Sequence, residues 1–323
     1  MMAIFCLLYT LIMVDAHSLV EFPGGLKSFE FVIKHDFHLG IQGAEKIRHG
    51  FSNQVYKAML DDNPIFIRTN RDPGILPVEI LGYKAFKEKG VPVPNVIAYE
   101  EKPVIIGYPT MIMEAANGIA LNQAHLTPEQ EERVYENLGN VVNKIHQVKI
   151  EGFGKLRAEG ESLKGELSTW EEYWASKIDV AYQDLAFLVD KQLLTEKDAE
   201  RIRTSLQGAD TFSVEEPSLL HNDIHRSHVF VAGDQVSGVI DLDRMIAGDP
   251  RYDIADSFMF QNKQQQEAFT RGYGDLARDP AVNVYLIAIA LNKVRFRYTN
   301  GLQKETERAI DKLRKALDKY NQL

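Results

Sequence analysis

Two aspartates and a histidine, Asp223, Asp241 and His228, fall within LLHNDIHRSHVFVAGDQVSGVIDLDRMIAGDPRYDIADSF, the stretch that begins at Leu219. Asp223 sits in a loop after an apolar approach, flanked by His221 and His225. His228 opens one β-compatible run, 228–231, and Asp241 ends a second, 236–240; the turn Ala232-Gly-Asp-Gln235 joins them. A hairpin returns its second strand beside its first, so Asp223, His228 and Asp241 are expected to converge at one edge. Two carboxylates and an imidazole in one place suit a divalent cation and a hydroxyl that must lose a proton. Phosphoryl transfer needs little more than that, beyond positioning and neutralised charge.

The neighbouring acidic and imidazole groups have plainer readings. Asp249 before Pro250 reads as the N-cap of the helix that follows, and Asp253 as a first-turn complement to its dipole. His221 and His225 read as local hydrogen-bonding residues. Asp243 stays open between a metal ligand and a solvated neighbour of Arg244.

The elements that must position these groups change character along the chain. Runs 45–52, 54–60 and 63–70 are short and β-compatible, with Asp61-Asp62-Asn63-Pro64 as the tightest turn signal. Residues 75–89 read as a helix stopped by Gly90, Val91-Pro-Val-Pro94 as rigid and extended, and 95–100 and 104–114 as strands. Beyond Ala115-Ala-Asn-Gly118 helices dominate: 127–145, opened by a Thr127, Pro128, Gln130 signature, then 168–188, 195–206 and 303–320. The expected fold class is therefore α+β: a β-rich part (41–114), a mainly helical part (115–323) holding one small hairpin, and an N-terminal extension (1–40) of open role. A cleft between two unlike parts is a natural ligand site.

Composition fits an ordinary soluble globular protein. The chain has 323 residues, 45% hydrophobic and 26% charged, and a net charge of -9. It lacks the basic footprint of a nucleic-acid binder and would attract cationic ligands. One cysteine, Cys6, forms no internal disulfide, and no CxxC or HExxH pattern suggests zinc. The uncharged run MMAIFCLLYTLIMV is too short to span a bilayer comfortably. It reads as a leader lacking its basic flank, as a segment docked on the body, or as an over-long gene start with translation beginning at Met13. A cytoplasmic location is expected, with no membrane partner.

His221-Asn-Asp223 through His228, then Ile240-Asp-Leu-Asp243, then Gly248-Asp-Pro-Arg-Tyr-Asp253-Ile-Ala, resembles the aminoglycoside phosphotransferase family. That family's pattern is H-x-D-x-x-x-x-N, a hydrophobic strand ending in I-D, and G-D-P-x-x-D. Gly152-Phe-Gly154 and Trp170-Glu-Glu-Tyr173 are also family-like. The resemblance implies a protein-kinase-like two-lobe fold. It implies that Asp223 is the base or hydroxyl-orienting group and that Asp241 is a Mg²⁺ ligand. His228, in the place of the family's second-metal asparagine, either ligates metal or hydrogen-bonds a phosphate oxygen or metal-bound water, and Asp243 is the further candidate ligand. The resemblance also implies that Ser52 and Asn53 lie in a phosphate-covering turn (His49 to Tyr56), that Arg68 contacts the α/β phosphates, and that Glu79 holds Arg68. It further implies that Met113, Glu114 and Ala115 offer backbone groups to the adenine or guanine edge.

Two departures stand out. The family asparagine is His228 here, similar to aminoglycoside 2″-phosphotransferases and macrolide phosphotransferases. The strand lysine of protein kinases is Arg68, which keeps the charge in a planar fork.

The implied function is an ATP- or GTP-dependent kinase of a small hydroxylated acceptor. His228, the HND wording and the acidic surplus lean towards an antibiotic such as an aminoglycoside or macrolide. The alternatives are a pseudokinase-like regulatory module and a metabolic kinase of choline, homoserine or sugar type. Neither a Walker A pattern nor a GxSxG elbow is present.

Overall fold

A computed structural model describes residues 26–47, 54–207 and 212–320. The run 1–14, with Ser52 and Asn53 in the expected phosphate-covering turn, lies outside the described residues. The chain forms two compact units: the first contains residues up to Pro77 and Pro94–Ala115, the second Val78–Val93 and Ala116 onward.

In the first unit, strands β1 (Gln42–Ile47), β2 (Gln54–Leu60), β3 (Asn63–Thr69), β4 (Val96–Glu100) and β5 (Thr110–Glu114) form an antiparallel sheet in the order β1-β2-β3-β5-β4. The β2–β3 turn works because Asp61 and Asp62 both take positive φ (48° and 62°), the twist a two-residue hairpin needs. Helix α1 (Leu26–Phe37) comes from the N-terminal extension and buries Phe29, Val32 and Ile33 against Tyr56, Ile65, Ile67 and Ile112. The expected strand 104–114 is shorter, beginning at Thr110. Its first residues are held otherwise: the amides of Ile105 and Ile106 donate to the Asp36 carboxylate at 3.0 and 3.1 Å, and Gly107 turns the chain with φ 74°.

Helix α2 (Ile75–Glu88) forms as expected, and from Val78 on it belongs to the second unit. There Gly82 packs against the end of the Met245 side chain, which a Cβ at this position would displace. Short strand β6 (Ile119–Ala120) is followed by helix α3 (Pro128–His146), whose N-terminus is a full capping box: Thr127 accepts from the Gln130 amide and Gln130 reaches back. Helices α4 (Trp170–Asp190) and α5 (Glu196–Leu206) open the same way, on Thr169/Glu172 and Thr195/Asp198.

The helical part holds more sheet than the single hairpin expected. Strands β7 (Phe153–Glu159) and β8 (Ser162–Leu167) form a second hairpin. With β9 (Ser218–Leu220) and β12 (Ile246–Gly248) they make a sheet in the order β8-β7-β12-β9. Gly165 permits the tight pairing, because a Cβ there would meet the Phe153 and Gly152 backbone. The expected hairpin is present as β10 (Val229–Ala232) and β11 (Gln235–Val239), flanked by β6.

Helices α6 (Pro250–Phe258), α7 (Lys263–Tyr273), α8 (Pro280–Thr299) and α9 (Gln303–Tyr320) complete the unit. The N-terminal half of α8 is buried almost all round, so it shows no amphipathic stripe to read. Its Tyr285 is surrounded by Trp170, Trp174 and Tyr252; the Trp170 indole donates to the Tyr285 hydroxyl at 2.7 Å, which donates to Asp249 at 2.7 Å. Among the described residues, no helix is long and apolar enough to cross a membrane.

Candidate active site

Asp223 occupies the loop between β9 and β10, and the backbone just before it is pinned. The buried carboxylate of Asp253, in the first turn of α6, accepts from the amides of His221 (3.0 Å) and Asn222 (2.7 Å). Nε2 of His146, on α3, lies 3.0 Å from the same carboxylate. Asp253 does sit in the first turn of α6, and beyond complementing the helix dipole it pins the loop that precedes Asp223. Burial would push its carboxyl up, but the hydrogen bond and charge of His146, with His221 and the Asn222 amide, hold it below the ordinary carboxylate range. Asp249 is the expected N-cap, accepting from the Arg251 amide.

His228 links the two aspartates. The Ile240 amide donates to the His228 carbonyl (3.0 Å), extending the hairpin by one pair and setting Asp241 beside the imidazole. Nδ1 of His228 lies 3.0 Å from the Asp223 carbonyl and 3.7 Å from Asp223 Oδ2, and its Nε2 lies 3.3 Å from Asp241 Oδ2. The Asp241 amide in turn donates to the Tyr83 hydroxyl at 3.3 Å. Asn222 (φ 61°) and Asp241 (φ 69°) both adopt the left-handed region, a backbone cost tolerated where surrounding bonds fix the geometry.

The two other histidines are structural. His221 is fully buried, its Nε2 is 3.0 Å from the Ile240 carbonyl, and burial lowers its affinity for a proton. It ties the loop of Asp223 to the strand end of Asp241. His225 Nδ1 accepts from the Ser227 amide, which leaves the proton on Nε2, 3.8 Å from Asp223 Oδ2. Burial, then the charge of His228, brings it down to about 4, so it is neutral.

The Asp223 side chain, 14% exposed, is also approached by Arg244 and Lys293, each at 3.9 Å. Every one of these contacts is longer than a hydrogen bond, so both carboxylate oxygens can still accept one. Lys293, on α8, also pairs with Asp256 on α6 at 3.4 Å. Burial drives the Asp256 carboxyl up to about 6; Lys293 opposes this, while Asp223 and Asp253 add to it. Lys293, Asp256 and Asn222 were not legible as site residues: two of them lie in helices outside the loop and hairpin that carry the two aspartates and His228. Beside Asn222 opens a cavity of about 400 Å³ whose wall includes Asp243, Arg244, Asp256 and Lys293.

Of the expected metal ligands, His228 and Asp241 come together and Asp243 lies on the cavity wall. Asp223, His225 and His228 also form a cluster with ligand atoms within 4.8 Å of one another, but the Nε2–H of His225 is a donor and not a ligand. A donor set fits better at His228 and Asp241. The Asp223 carbonyl can only accept, so Nδ1 carries a proton; a neutral imidazole then turns its Nε2 lone pair towards a carboxylate. Two acceptors facing one point call for a cation or a second proton between them. A carboxylate oxygen suits Mg²⁺, and imidazole nitrogen is a softer ligand.

In the first unit, Arg68 lies on β3 opposite Val55 and Met111 and is 7% exposed. Glu79, on α2, is wholly buried. The Met113 side chain is buried in the sheet. The Glu114 amide donates to the Asn95 carbonyl (2.9 Å) and the Ala115 amide to the Pro64 carbonyl (3.1 Å). These two donors are therefore already engaged.

A family profile described as the phosphotransferase enzyme family matches residues 43–283, which include every candidate residue above except Lys293. The chain belongs to that family. Acyl-CoA dehydrogenase family member 10 of Mus musculus is 26% identical over 243 residues, covering 70% of this chain and 21% of that protein. Hygromycin-B 4-O-kinase of Escherichia coli is 22% identical over 233 residues, covering 66% of this phosphotransferase-family chain and 62% of the kinase. The chain thus spans less than two thirds of the length of either relative. A thermostable mutant of aminoglycoside phosphotransferase APH(4)-Ia, solved as a ternary complex with AMP-PNP and hygromycin B, superposes with a TM-score of 0.66. That match is at 19% identity and covers 90% of this chain and 98% of the other, so it shows the fold. The phosphotransferase family accounts for the α+β class and for the order of the motifs.

Proposed function

We propose that this chain transfers the γ-phosphoryl group of ATP or GTP to a hydroxyl of a small molecule. The observation that carries the reading is the bridge made by His228, whose two ring nitrogens face Asp223 and Asp241.

Each residue has a task that follows from its surroundings. Asp223 accepts the acceptor hydroxyl and takes its proton as the oxygen attacks phosphorus; its carboxylate is steadied by charge without being tied up by hydrogen bonds. Asp241 and His228 hold the magnesium that accompanies the nucleotide, with Asp243 as a further carboxylate. When bound, Mg²⁺ would neutralise charge on the phosphate oxygens. Arg68, Glu79, Ser52 and Asn53 keep the nucleotide-binding roles that the resemblance gives them. At the base edge, the segment Met113 to Ala115 would act through groups other than the engaged Glu114 and Ala115 amides. Dependence on a nucleoside triphosphate suits a cytoplasmic location.

The test is release of nucleoside diphosphate from ATP and GTP, with Mg²⁺, across a panel of hydroxylated acceptors. Acceptor-dependent release that disappears in Asp223→Asn supports the reading. Release that no acceptor stimulates, or that Asp223→Asn leaves unchanged, refutes it.

A further inference from the structure

The cavity beside Asp223 carries a charge that the chain as a whole does not. The protein is acidic, at -9, yet four cations, Lys155, Lys177, Arg244 and Lys293, line this wall against two carboxylates, Asp243 and Asp256. They converge from separate elements. Lys155 is on β7, opposite Ile246 of β12; Lys177 is on α4, one turn from Trp174; Lys293 is on α8; and Arg244 is in the loop after Asp241.

Pairing within the protein accounts for only part of this charge. Lys293 is matched by Asp256 at 3.4 Å, and Arg244 comes no nearer than 3.9 Å to Asp223. Lys177 rests over the Tyr173 ring at 4.8 Å, and neither it nor Lys155 is paired with a carboxylate among the described residues. Burial, then the charge of Arg244, lowers the proton affinity of Lys177. A half-buried ammonium held beside a guanidinium is a cost unless an anion enters between them. A polyamine entering here would add to the repulsion. Trp174, Met245 and Ile289 give the wall an apolar part that suits a carbon skeleton, and Asn222 and Asn292 give it neutral polar groups that suit hydroxyls.

We infer that the acceptor bound in this cavity is an anionic hydroxylated small molecule, bearing a carboxylate or a phosphate ester that Lys177 and Arg244 receive while its hydroxyl reaches Asp223. This rests on the phosphotransferase reading for the hydroxyl, but the anion site itself does not depend on turnover. The reaction is the ordinary one: the acceptor O–H proton passes to Asp223, an O–P bond forms, and the bond to the β-phosphate oxygen breaks to release nucleoside diphosphate.

The experiment uses the full chain and three polyols of one skeleton that differ in charge: gluconate, sorbitol and glucamine, with glycerol phosphate and kanamycin alongside. Binding is measured by calorimetry and turnover by nucleoside diphosphate release, in wild type, Lys177→Glu and the more conservative Lys177→Gln. Gluconate or glycerol phosphate should bind at least roughly tenfold more tightly than glucamine or kanamycin, the factor that 1.4 kcal/mol represents. Lys177→Glu should reverse the order, and Lys177→Gln should narrow it. If turnover follows the same order, both readings stand. If the anions bind but no acceptor is phosphorylated, the anion site stands and the kinase reading falls. If glucamine or kanamycin is preferred in the wild type, if charge makes no difference, or if nothing binds, the inference is overturned. Separate calorimetry arms with hydroxybutyrate and glycerol phosphate tell a carboxylate from a phosphate preference.

Discussion

Nε2 of His228 lies 3.3 Å from a carboxylate oxygen of Asp241 while Nδ1 is 3.0 Å from the main-chain carbonyl of Asp223. The ring is thereby fixed in orientation, and only the Nε2 side is open to a metal or to a bound water. His228→Asn restores an oxygen ligand on the side chain and should keep substantial activity with Mg²⁺. His228→Ala should lose more. Steady-state rates of both variants with Mg²⁺ and with Mn²⁺ decide the matter; equal damage from asparagine and alanine would show that the position does not stand in for an oxygen ligand.

Asp241→Ala should abolish the Mg²⁺ dependence of nucleotide binding, because magnesium is held by one or two carboxylates together with substrate phosphates. Titration calorimetry with ATP at varied Mg²⁺ reads this directly. An unchanged dependence would transfer the role to Asp243.

For Asp223→Asn, turnover should fall by roughly 10²- to 10⁴-fold with little change in nucleotide affinity, the usual loss for an acid–base group. A near-normal rate on a verified acceptor would remove Asp223 from the chemistry.

Asp253 should be a stability residue with an acid signature. Its carboxylate receives two backbone amides and His146, so Asp253→Asn, which keeps the shape but only one acceptor oxygen, should cost about 1–3 kcal/mol. The group is held below its ordinary range in the folded chain. The stabilisation is therefore complete above the ordinary carboxylate range and is lost as pH falls through the lowered folded value. Denaturant melts over acid pH should show wild type losing stability that the variant never had.

Asp256 should behave in the opposite sense. Its folded value is raised to about 6, so the native state holds the proton more tightly than the unfolded chain. Stability from this group is present below its unfolded value and is lost as pH rises through about 6, by on the order of 2–3 kcal/mol. Asp256→Asn should flatten that part of the stability profile, and a profile unchanged between wild type and variant would contradict the assignment.

How much of this was readable before the fold was known depended on how local each signal was. Thr127 with Pro128 and Gln130 is a complete helix start within four residues, and the capping box forms as spelled. The convergence of His228 and Asp241 follows from one hairpin. Asp253 was legible only in part: its first-turn position was read correctly, but its partners are the amides of residues 221 and 222 and a histidine on another helix. The β7–β8 hairpin was not read because its glycines leave no clear apolar alternation; Gly152 and Gly165 serve close backbone approach, which only the paired strands reveal. The cationic cavity could not be read at all. Lys155, Lys177, Arg244 and Lys293 are spread along the chain, and an acidic total charge points the other way.

The segment Val78–Val93 has a consequence for how this protein can be divided. It precedes the last strands of the first unit in sequence but packs within the second, where the Pro92 carbonyl accepts from the Val239 amide and the Tyr83 hydroxyl from that of Asp241. A gene fragment beginning at Ala116 would encode Asp223, His228 and Asp241 but not the hydroxyl that steadies Asp241. Recombination at the apparent joint near residue 115 would hand on the first unit whole but carry residues 78–93 of the second away with it, so the two parts must be inherited, exchanged and expressed together.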